Sequence, residues 1–303
     1  MKDTETSSLP LWLLPKNDFV FKLLLGSENK HSKELLVNFL NDIFDVPEDQ
    51  SISNVHLQNP HFNKQHLSDK ASILDIRAQI PGIGVVNIEM QLENQYNMDK
   101  RTLFYCAKMI TEQLNEGDDY KKLRKTTMIN LLNFNYFSQE NYHSIYHLTE
   151  KKTGIIYPDL ISVHFIELKK FNIFLKSGKI NPRDRLAKWI EFIANEDDSQ
   201  WGILASKDPI IKKAVDRLET ISQNPENRWN YEVRQKALKD IASMKEGAKE
   251  EGREQGRVEG KLEGKAEVAV KMLRNGIDID IIVETTGFTK DEVLRFQKEM
   301  KLE

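Results

Sequence analysis

Ser72-Ile73-Leu74-Asp75-Ile76-Arg77-Ala78-Gln79-Ile80-Pro81-Gly82-Ile83-Gly84-Val85-Val86-Asn87-Ile88-Glu89-Met90-Gln91-Leu92 is the stretch that decides the fold. Two strictly alternating runs flank Pro81-Gly82-Ile83-Gly84, whose residues suit a tight turn, so the segment reads as a β-hairpin. One face carries Leu74, Ile76, Ala78, Ile80, Val86, Ile88, Met90 and Leu92. Side chains alternate across a strand, so the other face carries Ile73, Asp75, Arg77 and Gln79, then Val85, Asn87, Glu89 and Gln91. Centring the hairpin on Gly82 sets Asp75 directly across from Glu89, with Gln91 beside Glu89 on the same face. Directly opposed residues have Cβ atoms about 4.5–5.5 Å apart, close enough for two carboxylates to share a divalent cation. Opposed carboxylates repel, and a bound Mg²⁺ would offset that repulsion. The competing reading is an amphipathic hairpin whose polar side faces water.

Outward from the hairpin, Asn17 or Asp18 can cap a helix that runs Phe19 to Leu25 and stops at Gly26. A second helix shows Leu35, Leu36, Phe39, Leu40 and Ile43 at three- and four-residue steps. Residues 46–70 read as loop or weak strand. Downstream, helix 97–114 presents Arg101, Tyr105 and Lys108 as a stripe that could face a DNA backbone, although core packing explains Tyr105 equally well. Strand-like runs follow at Thr126–Phe134, Ser144–Leu148 and Leu160–Leu168. The first 170 residues thus read α, β, β, α, β, β, β, a mixed α/β sheet domain.

The 303 residues carry a net charge of −3 from 44 basic and 47 acidic side chains, so there is no global positive field and any nucleic-acid contact must be local. The densest basic cluster is Lys121, Lys122, Arg124 and Lys125; its alternative reading is a solvated helix end. No apolar run approaches the roughly 18 residues of a membrane span, and Asp3 and Glu5 do not suit a signal peptide, so a cytoplasmic chain is expected. The single cysteine, Cys106, excludes an internal disulfide and reads as a buried core residue. His56, His61 and His66 match no zinc spacing and are read as loop residues. With no phosphate-cradling or dinucleotide motif, no nucleotide cofactor is implied.

Asp75, a turn, and then Glu89-Met90-Gln91 resemble the PD-(D/E)XK nuclease motif, within a restriction-endonuclease-like core. The run Leu14 to Lys22, the run Asn87 to Gln91, the helix Arg101 to Tyr105 and the glycine-glutamate tail resemble, in order, the recombination-promoting nuclease and transposase (Rpn) branch of bacteria. That resemblance implies a metal-dependent DNA endonuclease linked to recombination or mobile elements. Asp75 and Glu89 would hold Mg²⁺ (Mn²⁺ and Ca²⁺ being alternatives), with the Met90 backbone carbonyl as a further ligand. Gln91 would position the attacking water, and Asp18 could add a carboxylate from the first helix, the alternative being that it is a helix N-cap. The sequence departs from the motif at Leu74, where proline is usual, and at Gln91, where lysine is usual. A neutral amide can hydrogen-bond but cannot balance charge. Arg77 or Arg101 could supply the missing charge. The alternative function is a non-catalytic DNA-binding or assembly protein on a degenerate nuclease fold.

From Arg183 onward the chain reads as helical, with a face of Leu186, Trp189, Ile190 and Ile193, a helix around Ile210–Ile221 and a long charged helix beginning near Trp229. Residues 252–267 repeat in fours, a glycine opening and a glutamate or glutamine closing each unit. Glycine costs about 1 kcal/mol per helical position, so this segment reads as a marginal helix serving as linker or hinge. The expected divisions are a nuclease-like core at 1–170, a helical extension at 171–244, the repeat at 245–265 and a small helical module at 266–303. Three short helices are expected in that module. Its last two resemble a helix-turn-helix in outline, but its many acidic residues favour a protein-interaction bundle. The C-terminal helices are expected to make the chain a homo-oligomer.

Overall fold

In this computed structural model the described residues are 12–58, 76–94, 96–181 and 183–299. They fall into two compact units, 1–231 and 232–303. The first unit opens with α1 (Asp18–Leu25) and α2 (Lys30–Ile43). Asn17 caps α1, its side-chain oxygen accepting from the Phe19 and Val20 amides, and Asp18 follows as the first helical residue. The cap is therefore Asn17 rather than Asp18.

A short strand β1 (His56–Gln58) leads to the hairpin strands β2 (Ile76–Ile80) and β3 (Gly84–Gln91). Their antiparallel register pairs Ile76 with Ile88 and Ala78 with Val86, the register of a hairpin centred on Gly82. At the turn Gly82 has φ 78°. Gly84 has φ 154°, and a Cβ there would collide with the carbonyl oxygen of Lys125 on the neighbouring strand, so glycine is required. Helix α3 (Met98–Thr111) then returns the chain to β4 (Lys125–Leu132), parallel to β3. β5 (His143–His147) and β6 (Ile161–Glu167) complete a six-stranded sheet of order β1-β2-β3-β4-β6-β5. Parallel strands β3, β4 and β6 form its centre and antiparallel strands its flanks.

Both faces of that centre are covered, as parallel strands require. Ile76, Ala78, Ile80, Val86, Ile88, Met90, Ile129, Leu131 and Ile166 share one core with α1 and α2. The same core includes residues of α5 (Ala187–Ala194), α6 (Asp198–Lys207) and α7 (Pro209–Gln223). On the opposite face Val85 and Met128 pack with Tyr105, Cys106 and Met109 of α3. Beside them Leu132 and Phe165 pack with Met98 and Phe134. Cys106 is buried there, and desolvation pushes its thiol up to about 11, so it is an inert core residue.

One helix was not read from sequence: α4 (Leu168–Lys176), which begins where β6 ends; α6 falls in the stretch read as helical from Arg183 onward. His56 opens β1 rather than lying in a loop, whereas His61 and His66 lie outside the described residues.

Helix α8 (Pro225–Arg274) begins at Pro225 and runs unbroken through Gly252, Gly256, Gly260 and Gly264. Residues 266–274 are its last turns rather than a separate helix. Ion pairs one turn apart, such as Arg257 with Glu254 at 2.6 Å, lie along it. In the second unit α9 (Ile279–Thr286) and α10 (Lys290–Glu299) gather Ala269, Ile282, Phe288 and Val293 into a small core. No described helix is long and apolar enough to cross a membrane.

Candidate active site

Glu89 lies on β3 on the face that α3 covers, only 3% exposed. The polar face of the hairpin does not, therefore, simply face water. Its neighbours on the strand, Asn87 and Gln91, flank the carboxylate. Asn87 Nδ2 donates to Glu89 Oε1 at 3.2 Å, and Gln91 Nε2 donates to Oε2 at 3.3 Å. From α3 the Arg101 guanidinium comes within 3.7 Å of Oε2 and lies 5.4 Å from the Tyr105 ring centroid. Burial pushes the Glu89 carboxyl above its ordinary range, against the opposing pull of Arg101, Asn87 and Gln91.

The buried polar row continues onto β4. Asn130 is the register partner of Glu89, accepts from Thr102 Oγ1 of α3 at 3.1 Å, and donates to the His164 carbonyl at 3.1 Å. Asn130 and Thr102 escaped the sequence reading because each sits alone in a run otherwise explained by strand or helix. Period two would have put Asn130 on the face of Met128 and Leu132, as a polar residue among apolar ones.

Gln91 thus stands beside Glu89, and the Met90 side chain points into the opposite core. Asp75 lies outside the described residues; the last described pair of the hairpin is Ile76 with Ile88. Among the described residues no three His, Cys, Asp or Glu side chains converge on a metal position. Arg77 is on the α3 side but pairs with Glu112 at 2.7 Å. Lys108 lies on α3, two turns beyond Arg101.

The basic cluster sits at the other end of the sheet. Lys125 opposes Gly84 at the start of β3, five strand residues before Glu89, or about 17 Å away. Lys122 pairs with Asp118, and Lys125 pairs with Asp159 at 2.8 Å. Lys121 and Arg124 are exposed beside them. Part of the positive charge read from sequence is therefore spent locally.

The oxygen chemistry of the site fits a hard divalent cation. The Glu89 carboxylate has amide neighbours rather than a bound lysine, and Asn87 Oδ1 is buried without a hydrogen-bond partner among the described residues. A buried carboxylate thus lies on a central strand of a mixed α/β sheet, beside a side-chain amide and under an arginine-bearing helix, an arrangement that a nuclease site can use. The profile of the PD-(D/E)XK nuclease family transposases matches residues 15–248, and the chain belongs to that family. Residues 262–297 match the C-terminal helix-turn-helix domain of the Rpn/YhgA-like nuclease family. No curated protein and no solved structure shows a significant match.

The helix-turn-helix match corrects the expectation of a protein-interaction bundle. Three of the acidic residues that suggested it are engaged within the module. Asp278 caps α9, Asp280 pairs with Lys290 at 2.8 Å, and Glu292 accepts from the Thr289 amide and hydroxyl at 2.7 Å in a capping box. Gly287, at φ 73°, makes the turn. The nuclease and helix-turn-helix domains together support DNA as the partner.

Proposed function

We propose that the protein is a divalent-metal-dependent DNA endonuclease acting in recombination or on mobile elements, with Mg²⁺ held by Asp75, Glu89 and the Met90 carbonyl. The observation that carries this reading is the burial of Glu89 between two amides, an arrangement that costs stability unless a cation uses it. Asn87 is added to the expected set, because its unpartnered Oδ1 is a neutral oxygen donor next to the carboxylate. When bound, the metal would polarise a phosphoryl oxygen and lower the pKa of a water.

Gln91 holds Glu89 through one amide hydrogen, and its side-chain amide would orient a water through its remaining polar groups. Arg101 supplies the positive charge that lysine provides in the common motif, placed to stabilise charge that develops on the phosphate. Asp18 remains a candidate additional carboxylate at the start of α1. Lys108, Lys121, Lys122, Arg124, Lys125 and Arg77 are candidate backbone contacts, those at the far end of β4 acting one DNA segment away from the chemistry.

Self-association is proposed through α8 and the helices after it. Val258 and Leu262 are exposed on α8, and a Cβ at Gly252, Gly256, Gly260 or Gly264 would meet nothing within 4 Å among the described residues beyond the helix's own neighbouring backbone.

Plasmid nicking with and without Mg²⁺ tests the reading on wild type, Asp75→Ala and Glu89→Ala. Metal-dependent nicking by wild type and its loss in both variants is expected. Undiminished cleavage by either variant would overturn the site, and inactivity of wild type with Mg²⁺ and Mn²⁺ would favour a non-catalytic DNA-binding protein.

A further inference from the structure

Helix α3 has an outer face of which the nuclease reading uses only Lys108, at its edge. Its inward side holds Met98, Thr102, Tyr105, Cys106 and Met109. The opposite side carries Lys100, Leu103, Phe104, Ala107 and, at its edge, Lys108, positions that share a helix face by their three- and four-residue steps. Leu103 is 61% exposed and Phe104 is 56% exposed, adjacent large apolar residues where a solvated helix would carry polar ones. Lys100 precedes Phe104 by one turn and Lys108 follows it by one turn, so two cations bracket the ring about 12 Å apart along the axis. The stripe also reaches the site. Phe104 meets Tyr105 edge-on at 5.3 Å, Tyr105 lies against the Arg101 guanidinium at 5.4 Å, and Arg101 reaches Glu89. The acidic neighbour on this helix, Asp99, is occupied by the Tyr136 hydroxyl at 2.8 Å.

We propose that this face of α3 binds unpaired nucleotides, a base stacking on Phe104 and Leu103 while Lys100 and Lys108 take the adjoining phosphates. The proposal rests on the nuclease reading and names its substrate class: DNA with unpaired bases next to the cleavage point. The argument is chemical. A closed duplex offers a protein surface mainly phosphate and sugar, which match the lysines but leave Phe104 and Leu103 against a polar partner. An unpaired strand offers both a charged backbone and an apolar base face, at the spacing of one helical stripe. Positive charge on either side of the ring distinguishes this occupant from the apolar face of another protein.

The test uses the full chain in EDTA, so that binding is read without cleavage. Fluorescence anisotropy compares a single strand with the duplex of the same sequence, for wild type, Phe104→Ala, Phe104→Trp and Lys100→Ala. Loss of one stacked base predicts that Phe104→Ala weakens single-strand binding by about 10- to 100-fold, with duplex binding changed little. Phe104→Trp should restore it, Lys100→Ala should weaken both, and a 2-aminopurine in the strand should be quenched by wild type but not by Phe104→Ala. Equal effects of Phe104→Ala on both DNAs, or no effect on either while wild type still cleaves, would overturn the proposal and leave the nuclease reading standing. The expected pattern in a wild type that never cleaves with metal would strike the nuclease reading and keep the surface. A dimer that Phe104→Ala dissociates without altering DNA binding would assign the face to a second copy of the chain and refute the proposal.

Discussion

Replacing Glu89 by glutamine keeps the shape of the side chain and removes its charge. In the folded chain burial raises the Glu89 carboxyl above its ordinary value, so the native state holds the proton more tightly than the unfolded one. The sign follows. This group's favourable contribution is fully present below the unfolded pKa and is lost as pH rises through the folded value, so above it an ionised Glu89 burdens the metal-free protein. Two terms compete in Glu89→Gln. The new amide keeps the hydrogen bond from Asn87 but turns an N–H₂ toward that of Gln91, which must swing away at a cost of about 1 kcal/mol. Against this, a buried charge whose nearest cation is at 3.7 Å is removed, a relief of several kcal/mol in principle and reduced here by that cation. The net expectation is a gain of about 1–3 kcal/mol at pH 8 without metal. At pH 4 to 4.5 the gain should shrink or reverse. Urea unfolding across this pH range, in EDTA and in Mg²⁺, measures it. At Mg²⁺ about 100 times its dissociation constant wild type should gain about 2.7 kcal/mol and the variant far less. A variant that is less stable by a similar amount at every pH, with an unchanged response to Mg²⁺, would make Glu89 a structural acceptor and refute the reasoning.

Gln91→Lys should retain or increase nicking, because an ammonium can donate the same bond and add charge; complete loss of nicking in an otherwise folded variant would refute Gln91 as the stand-in for lysine. His164 is held near a pKa of about 3, first by desolvation and then by His143, His147 and Lys125. Its ring bonds His143 at 3.1 Å and Ser162 at 3.0 Å. Unfolding lets it take a proton, so stability should fall by up to about 1.4 kcal/mol per pH unit as pH drops from 6.5 toward 3, and His164→Asn should flatten that limb of a pH-resolved melt. An identical acid limb in both proteins would contradict the assignment. Ending the chain near Met244, or placing Glu at Val258 and Leu262 in the full chain, should abolish self-association measured by light scattering; a monomeric wild type or a dimeric truncated chain refutes the role given to α8.

The hairpin was legible because its signal is local: alternation with period two, and a turn whose glycines have only one economical arrangement. That signal fixed the register, and with it the side of the sheet on which Glu89 lies. It could not show that α3 would cover this side, since Arg77, Gln79, Asn87, Glu89 and Gln91 look like a solvated face. Coverage comes from the parallel pairing of β3 with β4, a contact between residues far apart in sequence. The same non-local pairing hid Asn130 and carried Lys121 to Lys125 to the distant end of the sheet. Helix α4 was missed because it follows directly on β6, with no break after the strand-like run Leu160–Leu168. The glycine repeat was legible as a helix despite its composition, since a propensity cost of about 1 kcal/mol per glycine lowers the stability of a helix without breaking it.

Charge balance ties Gln91 to Arg101. Where the common motif puts a lysine on the same strand as its glutamate, this chain has an amide, which leaves the strand one positive charge short. On the proposed reading the deficit is met from α3, by a guanidinium that reaches the same carboxylate from the helix covering the sheet. Lysine on β3 would be positioned by the strand alone, whereas Arg101 is positioned only when α3 is docked through Tyr105, Cys106 and Met109. On that reading the charge needed for chemistry depends on the same helix whose outer face carries Phe104 and Lys100. Nucleic acid seated on that face would bear on the placement of Arg101 through the Phe104–Tyr105 contact, so on the proposed reading the glutamine at position 91 would make catalytic charge a property of the helix that meets the DNA.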